Sequence, residues 1–454
     1  GHVRFLFKSE LLCYVRNIDS ASFVSFRNNK KVKSNLKMRV MGNKKKTLII
    51  SLVLLVCFAS SACAVSKGMK KVVDEALDFS VKQSMSMFSE MQGQVGILPR
   101  TAKDGKMITC ESPWWTSGFY PGTLWYCYEY SNDPQVRAAA EEMTSRVERQ
   151  KYTTSNHDVG FIINCSFGNG YRLTHNEAYR EVIETAAKSL STRFHPVTGC
   201  TRSWNSKKWQ FSVIIDNMMN LELLTVASSM TGDNSYYNKA KSHADRTMIN
   251  HFRPDGSSYH VVSYDTITGK VINQVTHQGV NDQSAWSRGQ AWGLYGFTMM
   301  YRQTGKKEYL EHAIKIAKFI MNHPRLPKDK IPYWDFDAPN IPKENRDASA
   351  GAIMASAYVE LSTYVPGELG KQFLTMGEQQ IKSLASPAYR AKKVGDNNHF
   401  IIQHSTGFVA KQYEIDAPLT YADYYFVEAL IRYKNLLEGR PVVETTTAFS
   451  EKAD

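Results

Sequence analysis

Polar and apolar residues recur at helical spacing along most of the chain after residue 65. Three segments align in register, starting at Thr174, Thr231 and Thr304, and each has a Tyr five residues on and an Ala thirteen residues on. A polar turn followed by apolar residues at helical spacing is typical of a helix start, so the pattern predicts a turn at each threonine and a helix after that turn. An apolar run precedes each one, over 161–173, 213–230 and 285–301. Each unit is therefore predicted to be a helical hairpin with a short turn.

Weaker copies of this pattern extend the array towards both ends of the chain. They begin near Asn132 ("NDPQVRAAAEEM") and Pro366 ("PGELGKQFLTM"), and single helical segments lie near the N-terminus ("KKVVDEALDFSVKQSMSMF") and the C-terminus ("YADYYFVEALIRYKNLL"). Stacked helical repeats need capping or closure, and these two single segments can pair to close a ring. The pattern predicts an all-α fold, an (α/α)6 toroid of six inner and six outer helices. An open solenoid is the weaker alternative because no polar cap is evident.

The turns inside the predicted hairpins are short, whereas the links between hairpins are long. These links cover 195–211, 253–284, 324–346 and 386–419. Long ordered loops usually carry function, and seven of the eight Trp residues lie in or beside them or in "SPWWTSGFYPG". Trp interleaved with Asp, Gln, His and Arg indicates a cleft for a polar ligand, with stacking faces suited to sugar rings. The alternative is that the aromatic side chains only pack the mouth of the barrel.

The positive charge of the chain is concentrated at its N-terminus. The net charge is +13, and residues 1–64 hold 12 Lys or Arg against two acids, Glu10 and Asp19, which gives 12 − 2 = +10. The remainder, 65–454, therefore carries 13 − 10 = +3. Because the excess is confined to the first 64 residues, the composition gives little support to a nucleic-acid partner.

The N-terminal 64 residues are typical of a leader. After Met41 come three lysines, an apolar run over 48–59, and small residues around Ala62 and Ala64. This order predicts a bacterial secretory signal cleaved after Ala64, preceded by an upstream extension over 1–40. The apolar run is too short for a membrane span, and Cys63 allows a lipid anchor. We therefore expect an exported, periplasmic protein with a single domain over 65–454.

The sequence carries no pattern for a metal or a nucleotide cofactor. Cys110, Cys127, Cys165 and Cys200 follow the leader without a C-x-x-C pair, and no His/Cys cluster has metal-ligand spacing. A P-loop and a G-x-G-x-x-G motif are also missing from the sequence. We expect neither a metal nor a cofactor.

Two acidic residues interrupt segments that otherwise belong in a core. Asp216 lies in "FSVIIDNMMNLELL", and Asp158 precedes the apolar run of "NHDVGFIINCSFG". Burying an ionised carboxylate is costly unless it is paired or used, so both acids are candidates for chemistry. The structural alternative for each is a helix N-cap, and the residues alone leave both possibilities open.

Five stretches of the chain resemble one enzyme family. The stretches "WWTSGFYPGTLWYCYEY", "HDVGFIINCSFGNGYRLT", "IIDNMMNLELL", "DQSAWSRGQAWGLYGF" and "YADYYFVEAL", in this order, are similar to the unsaturated glucuronyl hydrolases, glycoside hydrolase family 88. The resemblance runs from about residue 75 to 438. It implies the six-hairpin toroid and a glycosidase that removes a 4,5-unsaturated uronic acid from the non-reducing end of lyase-derived glycosaminoglycan oligosaccharides. The related unsaturated rhamnogalacturonyl hydrolases share the toroid and are the alternative.

The resemblance also implies roles for individual residues. Asp216 matches the family's catalytic acid/base and Asp158 its partner carboxylate. Residues matched to substrate contacts are Trp115, Phe119, His260, Gln278, Trp286, Arg288 and Trp292. Ser405 and Lys411 lie where relatives contact the second sugar. The sequence "FVAKQ" replaces the Gly- and Pro-rich stretch expected there, so the preference for sulfate stays open.

The chemistry of such a substrate explains why the acids would be buried. Its C4=C5 double bond is an enol ether, and protonation of C4 requires an acid that is still protonated near working pH. Apolar surroundings and a second carboxylate both raise an Asp pKa. Arg288 between two Trp residues suits a carboxylate clamp, with a buried structural ion pair as the alternative. A non-catalytic glycan-binding lipoprotein and an ordinary two-carboxylate glycosidase are the remaining alternatives for the whole chain.

Overall fold

Helices make up most of the computed structural model, which describes residues 68–444. Helix α1 (68–90) is followed by a hairpin of β1 (Ile97–Lys103) and β2 (Lys106–Glu111). The later helices are α2 (Phe119–Ser131), α3 (Pro134–Ser145), α4 (Val159–Ile163), α5 (Asn169–Thr174), α6 (Glu177–Ser191), α7 (Asn217–Thr231), α8 (Asn234–Asn250), α9 (Ser287–Thr304), α10 (Lys307–Asn322), α11 (Ala348–Tyr364), α12 (Gly367–Ala385) and α13 (Thr420–Leu437). The predicted leader, including the possible anchor at Cys63, lies outside the described residues.

Inner and outer helices differ in how much of their surface is apolar. In α11 every residue from Ala348 to Leu361 is buried, as expected for a helix surrounded by others, and its small side chains allow close packing. In α12 the buried residues recur every three or four positions, which leaves the other face to solvent. The inner helices are α2, α4–α5, α7, α9, α11 and α13. Helices α4 and α5 act as one inner helix because a π-helical turn, Asn164–Gly168, joins them.

The ring closes between the two ends of the described chain. Helix α13 packs between α11 and α2, and α1 lies outside this contact. Tyr130 of α2 donates to Asp78 of α1 at 2.8 Å, and Lys434 of α13 lies 3.7 Å from Asp74 of α1. The predicted (α/α)6 toroid and its closure by the first and last helices are confirmed. None of the described helices is both long and apolar enough to cross a membrane.

The repeated threonines end the inner helices and do not start the outer ones. Thr174, Thr231 and Thr304 are the last residues of α5, α7 and α9, and each outer helix begins three residues later. Each hydroxyl donates at 2.7 Å to the carbonyl four residues earlier and accepts from the N–H two residues later at 3.1 to 3.3 Å. The turns therefore lie where the pattern predicted them, and each threonine hydroxyl bonds to the backbone on both sides of its turn.

Short strands occupy the long links between hairpins. β3 (Phe194–His195) pairs with β4 (Cys200–Thr201), and β5 (Ser212–Ile214), β6 (Val261–Tyr264) and β7 (Val271–Val275) form an antiparallel sheet in the order β5-β6-β7. Strand β5 leads directly into α7, and this connection positions the site described below.

A network of buried charges joins four inner helices away from the strands. Glu360 of α11 accepts from Arg302 of α9 at 2.8 Å and forms an ion pair with Arg432 of α13 at 2.9 Å. Arg302 also contacts Glu222 of α7 at 2.8 Å, and Arg432 lies 3.4 Å from Glu428. Burial alone would raise the pKa of Glu360, but the two guanidinium groups hold it below its ordinary value.

Substitution Glu360→Gln should therefore destabilise the barrel. It removes the carboxylate that the two buried guanidinium groups share and leaves each with one acid, Glu222 or Glu428. Breaking a buried ion pair in this way costs about 3–5 kcal/mol. The free energy of unfolding in urea measures the loss. Glu368→Gln is the matched control, because Glu368 pairs with Lys371 at 3.6 Å on the exposed surface, and it should cause no measurable change. Equal stabilities for the two variants would contradict a supporting role for the network.

Candidate active site

Asp158 and Asp216 stand at the N-terminal ends of neighbouring inner helices. Asp158 directly precedes α4 and Asp216 directly precedes α7. Neither side chain makes a capping hydrogen bond to its own helix. The N-cap alternative is therefore wrong for both acids. Both carboxylates line one cleft of about 770 Å³, part of which is open to solvent.

Strand pairing holds Asp216 next to His260. Ile214 of β5 pairs with Val261 of β6, and the Ile215 N–H donates to the His260 carbonyl at 3.0 Å. This backbone connection places His260 Nε2 3.6 Å from Asp216 Oδ2. Because these bonds are made by the backbone, they hold the main chain of Asp216 and His260 side by side without any contact between side chains.

The hydrogen bonds of His260 define its tautomer. Its Nδ1 faces the backbone N–H groups of His277 and Gln278 at 3.3 and 3.1 Å, so it must accept, and the proton of the neutral ring lies on Nε2. Burial lowers the pKa of His260 well below its ordinary value, and nearby cationic groups lower it further. His260 therefore stays neutral and presents an N–H to Asp216.

Both acids have a raised pKa. Burial raises the pKa of Asp216 to about 6, an effect that Arg288, the residue's own backbone N–H and the indole of Trp292 reduce. Burial and the charge of Asp216 raise the pKa of Asp158 to about 7, although Arg193 opposes the shift. Among residues 68–444, Asp216 Oδ2 and Trp292 Nε1 are buried atoms without a hydrogen-bond partner. The pair can thus hold one proton near neutral pH, as acid/base chemistry requires.

Arg288 lines the cleft and connects three loops there. Its Nη1 donates to Asp347 Oδ2 at 2.8 Å and to the Thr406 carbonyl at 2.5 Å, and its Nη2 donates to Gln278 Oε1 at 2.8 Å and to the Gly407 carbonyl at 2.7 Å. All four terminal N–H groups are therefore used within the protein. A bidentate clamp on a sugar carboxylate would have to displace these bonds, so the contacts support the alternative, a buried structural ion pair.

Of the predicted aromatic contacts, Trp115 is placed to meet a ligand. Its half-buried ring lines the cleft and packs on Tyr421 at 4.9 Å. Phe119 is fully buried behind it. Trp286 is covered by His260 at 4.4 Å and by Arg288 at 4.5 Å.

Phe119, Trp286 and Trp292 are therefore buried and do not line the cleft, where their predicted sugar contacts would have to be made. Trp292 is fully buried between Phe161 and Tyr425. The three rings form the apolar wall that surrounds Asp216 instead.

The loop that carries Ser405 and Lys411 gives two different outcomes. Ser405 is fully buried, and its backbone pairs with Ala417 in both directions at 3.0 and 2.9 Å, so its predicted sugar contact is not available. Lys411 is exposed at the rim of the cleft, where its predicted role stays a prediction. Gln278 also lines the cleft.

Sequence reasoning missed several residues that line the cleft: His157, Trp204, His277, Tyr413, Glu414 and Tyr421. Trp204 and Tyr421 lie in a long link and in a quoted motif, which could have identified them. No local pattern indicates Glu414. It adopts a left-handed backbone, φ 54°, and pairs at 2.7 Å with Arg100 of β1, which is 314 residues away.

Comparison with known proteins places this arrangement in a family. Residues 91–322 match the model of Glycosyl Hydrolase Family 88. The chain belongs to this family. An unsaturated glucuronyl hydrolase of Formosa agariphila is 48% identical over 326 residues, 71% of this chain and 80% of the relative. The unsaturated glucuronyl hydrolase of Bacillus sp. (strain GL1) is 32% identical, over 74% of this chain and 90% of the relative.

Solved structures agree with the fold. The crystal structure of an unsaturated glucuronyl hydrolase specific for heparin superposes with a TM-score of 0.79 at 45% identity, covering 82% of this chain and all of the other. A Streptococcus agalactiae enzyme variant complexed with dGlcA-GalNAc6S superposes at 0.68 with 26% identity, covering 80% of this chain and 91% of the other. The protein is therefore a glycoside hydrolase. Its structure brings Asp158 and Asp216 into one cleft, as the sequence analysis predicted. Residues 68–444 hold no cluster of His, Cys, Asp and Glu suited to a metal ion.

The raised pKa values predict that the site reduces stability at neutral pH. Between the ordinary Asp pKa of 3.8 and about 7, the folded enzyme binds more protons than the unfolded chain, so this contribution to stability is lost as pH rises through that window. Asp158→Asn should therefore be more stable than the wild type at pH 8, by on the order of 2 kcal/mol. This advantage should disappear below about pH 4.

The measurement is urea unfolding at both pH values. Asp347→Asn is the control, because Asp347 is fully buried, whereas Asp158 is half-buried, and Asp347 accepts from Arg288, Ser349 and Ala350. It should lose stability at pH 8. A stability loss for Asp158→Asn at pH 8 would contradict the unpaired, raised-pKa state described here.

Proposed function

We propose that this protein removes a 4,5-unsaturated uronic acid from the non-reducing end of lyase-derived glycosaminoglycan oligosaccharides. The proposal depends on the pair Asp158 and Asp216. Neither carboxylate caps its helix, and both have pKa values raised towards neutral pH. Two relatives named unsaturated glucuronyl hydrolase support the choice of substrate. A protein that only binds glycans would have no use for such a costly pair.

The reaction starts at the double bond of the substrate. Asp216 in its protonated form delivers a proton to C4, and the enol ether becomes an oxocarbenium-like cation at C5. Asp216, now ionised, takes a proton from the water that adds at C5. The hemiketal opens, and the glycosidic bond breaks as a consequence. Asp158 holds the sugar and, as a second negative charge, favours the protonated form of Asp216.

His260 acts on Asp216 and does not supply the proton. Its low pKa keeps it neutral, so it is not an acid in the working range. Its Nε2–H, 3.6 Å from Oδ2, favours the ionised carboxylate that forms after proton transfer. Gln278 gives its carbonyl oxygen to Arg288, which leaves its NH₂ group to position the attacking water in the cleft.

Two cationic groups assist an anionic sugar in different ways. Lys411 at the rim attracts the substrate carboxylate or a sulfate through solvent. Arg288 holds Gln278 and the 406–407 backbone in position and has one remaining donor, its Nε–H, without a partner among the described residues. In this division of roles Lys411 contributes to binding, and Arg288 keeps the cleft in its working shape.

Asp216→Asn should remove the chemical step. The amide is a poor acid and cannot cycle as a base, so kcat should fall about 10²–10⁴-fold. Loss of the enoate absorbance of an unsaturated chondroitin or heparin disaccharide measures the rate. Asp233→Asn is the control, because Asp233 is an exposed N-cap whose oxygen accepts from Ser235 N–H, and it should retain activity.

Isotopes decide between hydration and direct displacement at C1. Hydration places ¹⁸O from water at C5 and deuterium from D₂O at C4, and it leaves saturated glucuronides uncleaved. A retaining two-carboxylate glycosidase places ¹⁸O at the anomeric carbon and cleaves saturated substrates. Label found only at C1 would overturn the mechanism even if Asp216 were essential.

Arg288→Ala and Asp347→Ala together test the role of the buried ion pair. If Arg288 positions Gln278 and the 406–407 backbone, both variants should lower kcat/KM, because Asp347 cannot reach the substrate yet fixes Arg288 at 2.8 Å. We expect losses of about 10²-fold, which is what a displacement of about 1 Å costs. A large loss in Arg288→Ala beside a near-normal Asp347→Ala would instead show that Arg288 binds the sugar directly.

A further inference from the structure

The N-terminus of α4 is capped by a residue from another helix. Asp158 occupies the N-cap position without capping, and the amide N–H of Phe161, three residues on, would ordinarily be its partner. Asn220 of α7 takes that N–H instead, with Oδ1 at 2.7 Å. Asn220 is fully buried and lies one helical turn after Asp216. Helix α7, which begins directly after Asp216, therefore also caps α4, the helix that begins directly after Asp158.

The close approach of the two helices depends on Gly160. A Cβ atom at this position would lie 2.5 Å from Asn220 Oδ1 and 2.6 Å from its Cα. Both neighbours belong to an ordered, buried residue, so they have no free space into which to move. The glycine is what allows the Asn220 side chain to reach the end of α4.

The same amide orients a second group towards Asp158. The Phe161 N–H can only donate, so the Asn220 atom that faces it must be the amide oxygen, Oδ1. The amide nitrogen, Nδ2, then faces His157 Nδ1 at 3.4 Å. Nδ2 can only donate as well, so His157 accepts at Nδ1 and carries its proton on Nε2. That Nε2 lies 3.4 Å from Asp158 Oδ1. Burial lowers the pKa of His157 to about 3, so the ring stays neutral.

We infer that Asn220 is a positioning residue for Asp158. It caps α4 in place of the carboxylate, which keeps Asp158 free of its own helix, and it fixes the His157 tautomer whose N–H faces that carboxylate. Asn220 touches neither the substrate nor the reacting atoms. Its effect on the reaction is transmitted through the orientation and protonation of Asp158, and so it rests on the role proposed for that acid.

Two substitutions should move the pKa of Asp158 in opposite directions. Asn220→Ala leaves the Phe161 N–H without a partner, so Asp158 can turn to cap it, and that bond to the charged form lowers the pKa. Asn220→Asp still caps Phe161, but it adds a negative charge and no longer donates to His157, so the pKa rises. The Asp158 pKa is measured by ¹³C NMR of Asp labelled at the carboxyl carbon, with the resonance assigned by its loss in Asp158→Asn.

Kinetics connect the shift to the reaction. Asn220→Ala should lower kcat/KM by about 10²-fold, and the limb of the pH profile that disappears in Asp158→Asn should move to lower pH. The same substitution in the Asp158→Asn background should have little further effect. Asn169→Ala is the control. Asn169 is also a buried asparagine, at the start of α5, and it donates to the Cys165 carbonyl and Tyr424 hydroxyl at 3.0 and 3.1 Å. It should lose stability with no shift in the Asp158 pKa.

Each outcome decides the proposal. Opposite pKa shifts in the two Asn220 variants support it, whichever substrate is used, because the NMR measurement does not depend on turnover. An unmoved Asp158 pKa in both variants, or a shift in the same direction, overturns it. If Asn220→Ala does not fold, Asn220→Asp decides alone, and a pKa that fails to rise counts against the proposal. Opposite shifts without any change in kcat/KM would leave Asn220 confirmed as the cap and refute the role proposed for Asp158.

Discussion

The site depends on one constraint: two carboxylates are withdrawn from solvent, Asp216 almost completely and Asp158 in part, and neither caps a helix. An ionised carboxylate in such surroundings is unfavourable unless it is paired or used, and Asp158 and Asp216 have no cation bonded to them within the described residues. Protonation removes this unfavourable charge, and both pKa values therefore rise towards neutral pH. The acid needed to protonate an enol ether is thus a direct result of how the inner helices begin.

Backbone groups take a large part in fixing two of the side chains near Asp216. His260 is oriented by two backbone N–H groups, and Arg288 is held by two backbone carbonyls as well as by Asp347. Backbone partners cannot change their donor or acceptor character, so they determine tautomers and side-chain orientation without depending on pH. This gives the cleft a defined shape before substrate binds, which reduces the reorganisation needed in the reaction.

The sequence predicted the toroid because its signal is periodic. The two acids were candidates because each interrupts an apolar run, but their roles came from the resemblance of five motifs to a known family. It did not predict which aromatic rings face the cleft: Phe119, Trp286 and Trp292 lie in the right motifs, but their exposure depends on packing across helices. The ion-pair partner of Arg288 could not be predicted from the sequence either, because Asp347 is 59 residues away, at the end of a different link. Glu414 was invisible for the same reason, as its role depends on contact with a strand at the other end of the chain.

The two halves of the barrel treat buried charge in opposite ways. Away from the cleft, Glu360 is paired with Arg302 and Arg432, and its pKa lies below the ordinary value despite complete burial. At the cleft, burial acts on Asp158 and Asp216 without direct ion pairs to Arg or Lys, and their pKa values rise. The inner helices α7, α9, α11 and α13 all contribute to the first network, and α7 also begins directly after Asp216, so one helix connects the paired charges to the cleft. A cleft that reduces stability at neutral pH is tolerated because it is built on helices whose other charges are satisfied.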